Sequence, residues 1–190
     1  MIIIYNPSRL EWMKHWIKVP HMVVGSDSMW QGDSDYGWDD DPAKFAGHPR
    51  TSGAHTTVLR QAREEGVPLM FTLSQLSYWS AKHLGDAGLV QMTERGRMQE
   101  GMVADIVVFN PKTVKEGSGY KAGTNGLPPV GLPHVIVNGQ FVKRDNKATD
   151  IFPGLPIRYP VQDEGRFVPA EKQQWLKTFT IDSGSVKPKE

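Results

Sequence analysis

The chain has 190 residues, 38% hydrophobic and 23% charged, enough to bury a core and too apolar for a disordered polymer. Its 22 Lys and Arg against 21 Asp and Glu leave a formal net charge of +1, so no overall field draws it to nucleic acid or to an anionic membrane. With no cysteine, disulfides and thiolate metal sites are excluded, and any metal must be held by His and carboxylate.

Ile2 to Tyr5 is a short β-branched run stopped by Asn6-Pro7, which predicts a buried strand. Ser8 and Glu11 form a capping box for a helix with Leu10, Trp12, Met13, Trp16 and Ile17 on its apolar side, ended by Pro20. Met22 to Val24 then reads as a second buried strand. Strand, helix and strand make a right-handed βαβ unit with parallel strands. The start has too few consecutive apolar residues for a signal-peptide core, and no stretch approaches the ~18 needed to cross a membrane, which points to a cytoplasmic protein.

An acidic, aromatic loop follows. Asp41-Pro42 predicts a capped helical turn. Gly53 to Glu65 predicts a helix packed through Val58, Leu59 and Ala62 and closed by Gly66. Thr72 is placed as the cap of another, with Gln75 at the box position and Gly85 at its end. From Gly88 the rhythm changes. Residues 102–110 predict a strand, 117–131 a Gly/Pro-rich loop, and "HVIVNGQFV" a hairpin about Asn138-Gly139. The tail after Pro153 reads as irregular. A parallel βαβ unit cannot cover both faces of its own strands. The expected fold class is therefore α/β plus β, with the chain as the C-terminal part of a larger α/β barrel.

Asp27 stands directly after the second predicted strand, where parallel α/β folds place reacting groups. A carboxylate there can bind a metal and exchange protons. "HPRTSG" brings His48 and Arg50 to the start of a predicted helix, where a guanidinium and amide donors could grip an anion. Residue type alone favours plainer readings: a turn-capping aspartate, and a loop arginine paired with a nearby aspartate. Asp33, Asp35, Asp39, Asp40 and Asp41 contain part of a calcium-loop pattern, but position 36 is Tyr and position 44 is Lys, so the full pattern fails. A solvated lid carrying Trp30, Tyr36 and Trp38 is the alternative. His15, His21, His55, His83 and His134 lack partners at ligand spacing and are expected to be structural or on the surface.

"MVVGSDS", "HPRTSG", "RGRMQEGMVADIVVFNP" and "GLPHVIVNGQFV" with "PGLPIR" together resemble the C-terminal portion of amidohydrolase-superfamily enzymes, specifically the N-acyl-D-amino-acid deacylases, over roughly residues 1–160. The resemblance implies residues 1–87 as the end of a metal-dependent (β/α)8 barrel, 88–160 as a segment of a β-sandwich domain and 161–190 as a C-terminal extension. It implies zinc-dependent hydrolysis of an N-acyl amide. Asp27 would be a metal ligand and the acid/base, passing a proton from the metal-bound water to the leaving amine. Arg50 would hold the substrate's α-carboxylate, and His48 would line the same turn. The resemblance also implies that the remaining zinc ligands lie outside this chain, that the rest of the barrel is its partner, and that the chain alone is inactive. Ser28 after the aspartate, and a long loop before HPR, depart from the family pattern and leave substrate preference open. Two other readings are a cyclic-amide amidohydrolase of the dihydroorotase or hydantoinase kind, which HPR and the tail argue against, and a non-catalytic assembly or calcium-binding module.

Overall fold

The computed structural model describes residues 10–28, 41–44 and 47–161. The chain divides into two compact units, residues 1–159 and 160–190, and every described helix and strand lies in the first. The predicted strand at 2–5, the Ser8 cap and most of the acidic loop, including Trp30, Tyr36, Trp38 and Asp33 to Asp40, lie outside the described residues.

Helix α1 spans Leu10–Trp16 and continues into a turn through Pro20. Ile17 is 6% exposed and packs with Val58 and Ala62, with Val24, Val67 and Leu76 around them. Trp12 and Trp16 do not share that core, since both are 54% exposed. The apolar stripe is thus narrower than the spacing suggests. Met22 to Val24 is not a strand. It carries no regular element, Val23 is exposed, and Val24 N–H donates to the Gln75 backbone carbonyl at 3.3 Å. A central parallel strand needs hydrogen-bonded neighbours on both sides, and among the described residues none flanks this segment.

A turn at Pro42–Lys44 forms as predicted, with Asp41 Oδ1 accepting from Ala43 N–H at 2.9 Å. Helix α2, Arg50–Glu64, begins three residues earlier than expected. It buries Val58, Leu59 and Ala62, and it ends where Gly66 turns at φ 69°. The next helical stretch starts at Leu69 rather than at Thr72. α3 (Leu69–Leu73) passes into a π-helical turn (Ser74–Tyr78) and then α4 (Trp79–Asp86). Pro68 fixes the start, being the residue before the first turn, and Thr72 Oγ1 bonds back to Pro68 O instead of capping. Gly85 lies within α4, and the left-handed residue that follows is Gly88, at φ 100°.

The remaining chain forms a four-stranded antiparallel sheet in the order β1-β2-β3-β4: Ile106–Val108, His134–Val137, Gln140–Arg144 and Lys147–Ala148. Ile106 pairs with Ile136 and Val108 with His134. The predicted hairpin forms at Asn138-Gly139, with φ of 47° and 79°, the left-handed pair that an Asn-Gly turn supplies. Residues 117–129 carry no regular element, as expected, although Lys115 and Val130 bridge at the neck of this loop. Among the described residues no helix is long and apolar enough to cross a membrane.

Candidate functional site

Asp27 and Arg50, separated by 22 positions whose order the sequence leaves open, meet in space. Arg50 Nη2 lies 3.0 Å from Asp27 Oδ2. The arginine side chain is 22% exposed and the aspartate 65%, so the pair sits at the surface with the guanidinium the more buried partner. Asp27 holds φ at 46°, a left-handed conformation that Asp and Asn tolerate better than other non-glycine residues. This geometry turns the chain so that the carboxylate faces α2.

Three of the amide donors expected to point at an anion are already engaged. Arg50 N–H donates to His48 Nδ1 at 3.1 Å, Thr51 N–H to His48 O at 3.0 Å and Gly53 N–H to Pro49 O at 3.0 Å. His48, the residue before the N-cap Pro49, therefore accepts from the first amide of α2 and is not a free side chain. Because Nδ1 accepts, the neutral ring carries its proton on Nε2, which faces Tyr120 Oη across 3.5 Å, with the two rings edge to face at 5.3 Å. Arg50 Nε is buried without a hydrogen-bond acceptor among the described residues. One donor of the guanidinium fork is thus unspent.

The Gly/Pro-rich loop, to which the sequence assigns no role, builds the wall behind this turn. Ser118 Oγ donates to Pro49 O at 2.8 Å, and Ser52 Oγ donates to Leu127 O at 3.2 Å. A Cβ at Gly53 would collide with Ser118 Oγ, and one at Gly117 with the Pro128 carbonyl, so glycine at both positions permits the close approach. Arg60 Nε and Nη2 grip the two oxygens of Glu116, with Nη2–Oε1 at 2.6 Å, and Arg63 Nη1 bonds Pro111 O and Val114 O. No local pattern announces these contacts, which join residues 48–75 positions apart.

Burial pushes the Glu116 carboxyl up, but its bonds to Arg60 and the Glu116 backbone, with the Arg60 and Lys115 charges, outweigh this and hold it below the usual glutamate value. A carboxylate depressed in the folded state contributes stability above the unfolded value and loses it as pH falls through the folded one. Glu116→Gln should cost about 1–3 kcal/mol at neutral pH, since it leaves the Arg60 charge partly buried and short of a partner. The deficit should shrink once pH falls below the ordinary glutamate value, ~4.3, and disappear only below the lowered folded value. Urea unfolding of the two forms across this pH range checks this.

Burial, joined by the Arg50 charge and opposed by Asp27, lowers His48 below the ordinary histidine value. His55, exposed as a residue but with its ring partly desolvated, is also lowered by burial, against a hydrogen bond with the Val24 backbone. For both, the neutral form belongs to the folded state. Their stability contribution is full above the ordinary value near 6.5 and declines as pH drops toward the lowered folded values. An NMR titration should place both midpoints below that of an unfolded-peptide histidine, with the Arg50 amide signal moving as His48 protonates. A His48 midpoint above it would contradict this acceptor role.

His21 stacks on Trp79 at 4.1 Å, and its carbonyl meets His83 Nε2 at 3.3 Å, while His134 Nδ1 accepts from Asp145 N–H. These three are structural, as expected. Among the described residues no three His, Asp or Glu side chains gather as a metal cluster requires. A catalytic zinc needs about three protein ligands, so the residues present do not by themselves fit one, and Asp27 is paired with Arg50.

No family model matches the chain. It is 36% identical over 94 residues to an N-acyl-D-glutamate deacylase of Alcaligenes xylosoxydans xylosoxydans, covering 48% of this chain and 18% of that protein. It is 34% identical over 104 residues to a D-aminoacylase of the same organism, covering 54% and 20%. A crystal structure of an N-acyl-D-glutamate deacylase from Bordetella bronchiseptica superposes with a TM-score of 0.51 at 29% identity, covering 71% of this chain and 26% of that one. Over about half of its length the chain is similar to N-acyl-D-amino-acid deacylases. It spans about a fifth of the length of the curated deacylases it matches. The Bordetella deacylase was solved with zinc and a phosphonate inhibitor that mimics the tetrahedral intermediate of the reaction.

Proposed function

We propose that this chain forms the C-terminal portion of a zinc-dependent amidohydrolase that cleaves the amide bond of N-acyl-D-amino acids. Residues 1–87 close the barrel, 88–160 enter the β-sandwich domain and 161–190 extend beyond it. The zinc is held by ligands from outside this polypeptide, with Asp27 as the carboxylate this chain brings to it. The partner is the rest of the barrel, and the chain alone does not turn over substrate.

The observation that carries the reading is the Asp27–Arg50 pair, seated beside the start of α2 and supported by the similarity to deacylases. In this reading Arg50 receives the substrate's α-carboxylate. Its Nε is the unspent donor, and Nη2 is released when the incoming carboxylate replaces Asp27 on the guanidinium. The exchange would leave Asp27 ionised, so that it could first take a proton from the attacking water and then deliver that proton to the departing nitrogen. The plainer reading, an arginine merely neutralising a neighbouring aspartate, predicts the same resting contact but no effect on substrate. Function therefore decides between them.

The test is a chimaera in which residues 1–160 replace the matching segment of the D-aminoacylase relative. It should bind zinc and hydrolyse N-acetyl-D-amino acids, whereas the 190-residue chain alone should not. A folded, zinc-loaded chimaera without activity would overturn the proposal.

A further inference from the structure

The segment that delivers Asp27 is anchored in part by a residue that takes no part in the pair itself, alongside the contacts of His83 with His21 O and of His55 with the Val24 backbone. Gln75 is 1% exposed. Its Nε2 donates to Val19 O at 2.9 Å, and its own carbonyl accepts from Val24 N–H at 3.3 Å. The two bonds bracket residues 19–24, which end three positions before Asp27.

That carbonyl is free because of the π-helical turn. In an α-helix, Gln75 O would accept from Trp79 N–H. Here Trp79 N–H bonds Ser74 O, so the slip of one residue removes the α-helical partner of Gln75. Val24 N–H takes its place. Neither Gly nor Pro occurs in Ser74–Tyr78 to force such a slip. A widened turn of this kind costs helix geometry and persists where something is gained from the freed group.

We infer that Gln75 and the π turn are a positioning device that sets Asp27 against Arg50. Resting on the deacylase reading for its functional meaning, the inference adds a site residue that neither touches substrate nor lies near Asp27 in sequence. The side-chain amide is the informative part. Replacing it with Met preserves bulk but removes the donor to Val19, so residues 19–24 lose one of the two bonds that Gln75 makes to them. Replacing it with Glu makes the donor conditional, because a carboxyl group can donate to Val19 O only when protonated. Burial raises the pKa of such a carboxyl, which puts this protonation within reach of mild acid.

The experiment reads the 190-residue chain by NMR and needs no substrate, so its outcome is independent of whether the deacylase assay succeeds. In the wild-type chain, the Arg50 Nη protons held by Asp27 should give resolved signals, and the Val24 amide should exchange slowly. In Gln75→Met, Val24 exchange should accelerate at least ~10-fold relative to amides inside α2, and the Arg50 signals should collapse to an average. In Gln75→Glu, both defects should be present at pH 7.5 and recover toward pH 5.5. His21 lies within the same segment and His55 and His83 lie against it, so wild type across the same pH span is the control. If Gln75→Met does not fold, the Glu variant carries the test alone. Unchanged Arg50 signals in a folded variant, even with a lowered melting temperature, would overturn the inference, as would a Glu variant that shows no recovery.

Discussion

Replacing Asp27 with Asn in the active chimaera should reduce turnover by about 100- to 10,000-fold, the range over which a positioned acid/base contributes. The substitution isolates the charge. Asn adopts the left-handed backbone at φ 46° as readily as Asp, so the fold is not taxed, and the amide still reaches Arg50 through its oxygen. The lost property is the capacity to exchange a proton. Turnover should fall while the melting temperature changes little, because an ion pair with a 65%-exposed partner contributes little to stability. Steady-state kinetics with a thermal melt of the same sample checks both halves. Residual turnover within a few fold of the parent would remove Asp27 from the chemistry.

Arg50→Lys should act on binding instead. Lysine keeps the positive charge but has no planar fork and no group corresponding to Nε, the buried donor left without an acceptor. Losing one charge-assisted hydrogen bond, about 1.5–3 kcal/mol, raises KM by about 10- to 100-fold with a smaller change in kcat. An N-acyl amine lacking the α-carboxylate supplies the control, since the parent and the Lys variant should handle it alike. Equal loss on both substrates would mean that Arg50 serves the fold and not the carboxylate.

The parts of the molecule legible in the sequence are those fixed by local chemistry. Asn138-Gly139 specifies its turn through the conformations those two residues favour, and Val58, Leu59 and Ala62 mark the buried face of α2 by spacing alone. Asp27, His48 and Arg50 stand out because of their residue types beside an apolar run and a helix start. Met22 to Val24 misleads because three apolar residues read as a strand whether or not neighbours exist to pair with them, and Trp12 and Trp16 because spacing says which side a side chain is on but not how far the core extends. The π turn is illegible for another reason. "SQLSYWS" suits an ordinary helix at every position, and the slip is stabilised by a partner some fifty residues earlier in the chain. Likewise Ser118 and Glu116 look like loop residues until α2 folds against them.

Strand β1 is one of the two edge strands of the sheet, and Val107 and Val108 on it are 51% and 43% exposed. A greasy border of this kind is an invitation to stacking. Preparations of the chain by itself should cloud as they are concentrated, and light scattering should rise before any loss of helical signal. A single lysine written at position 107 would be the simplest way to keep such samples clear.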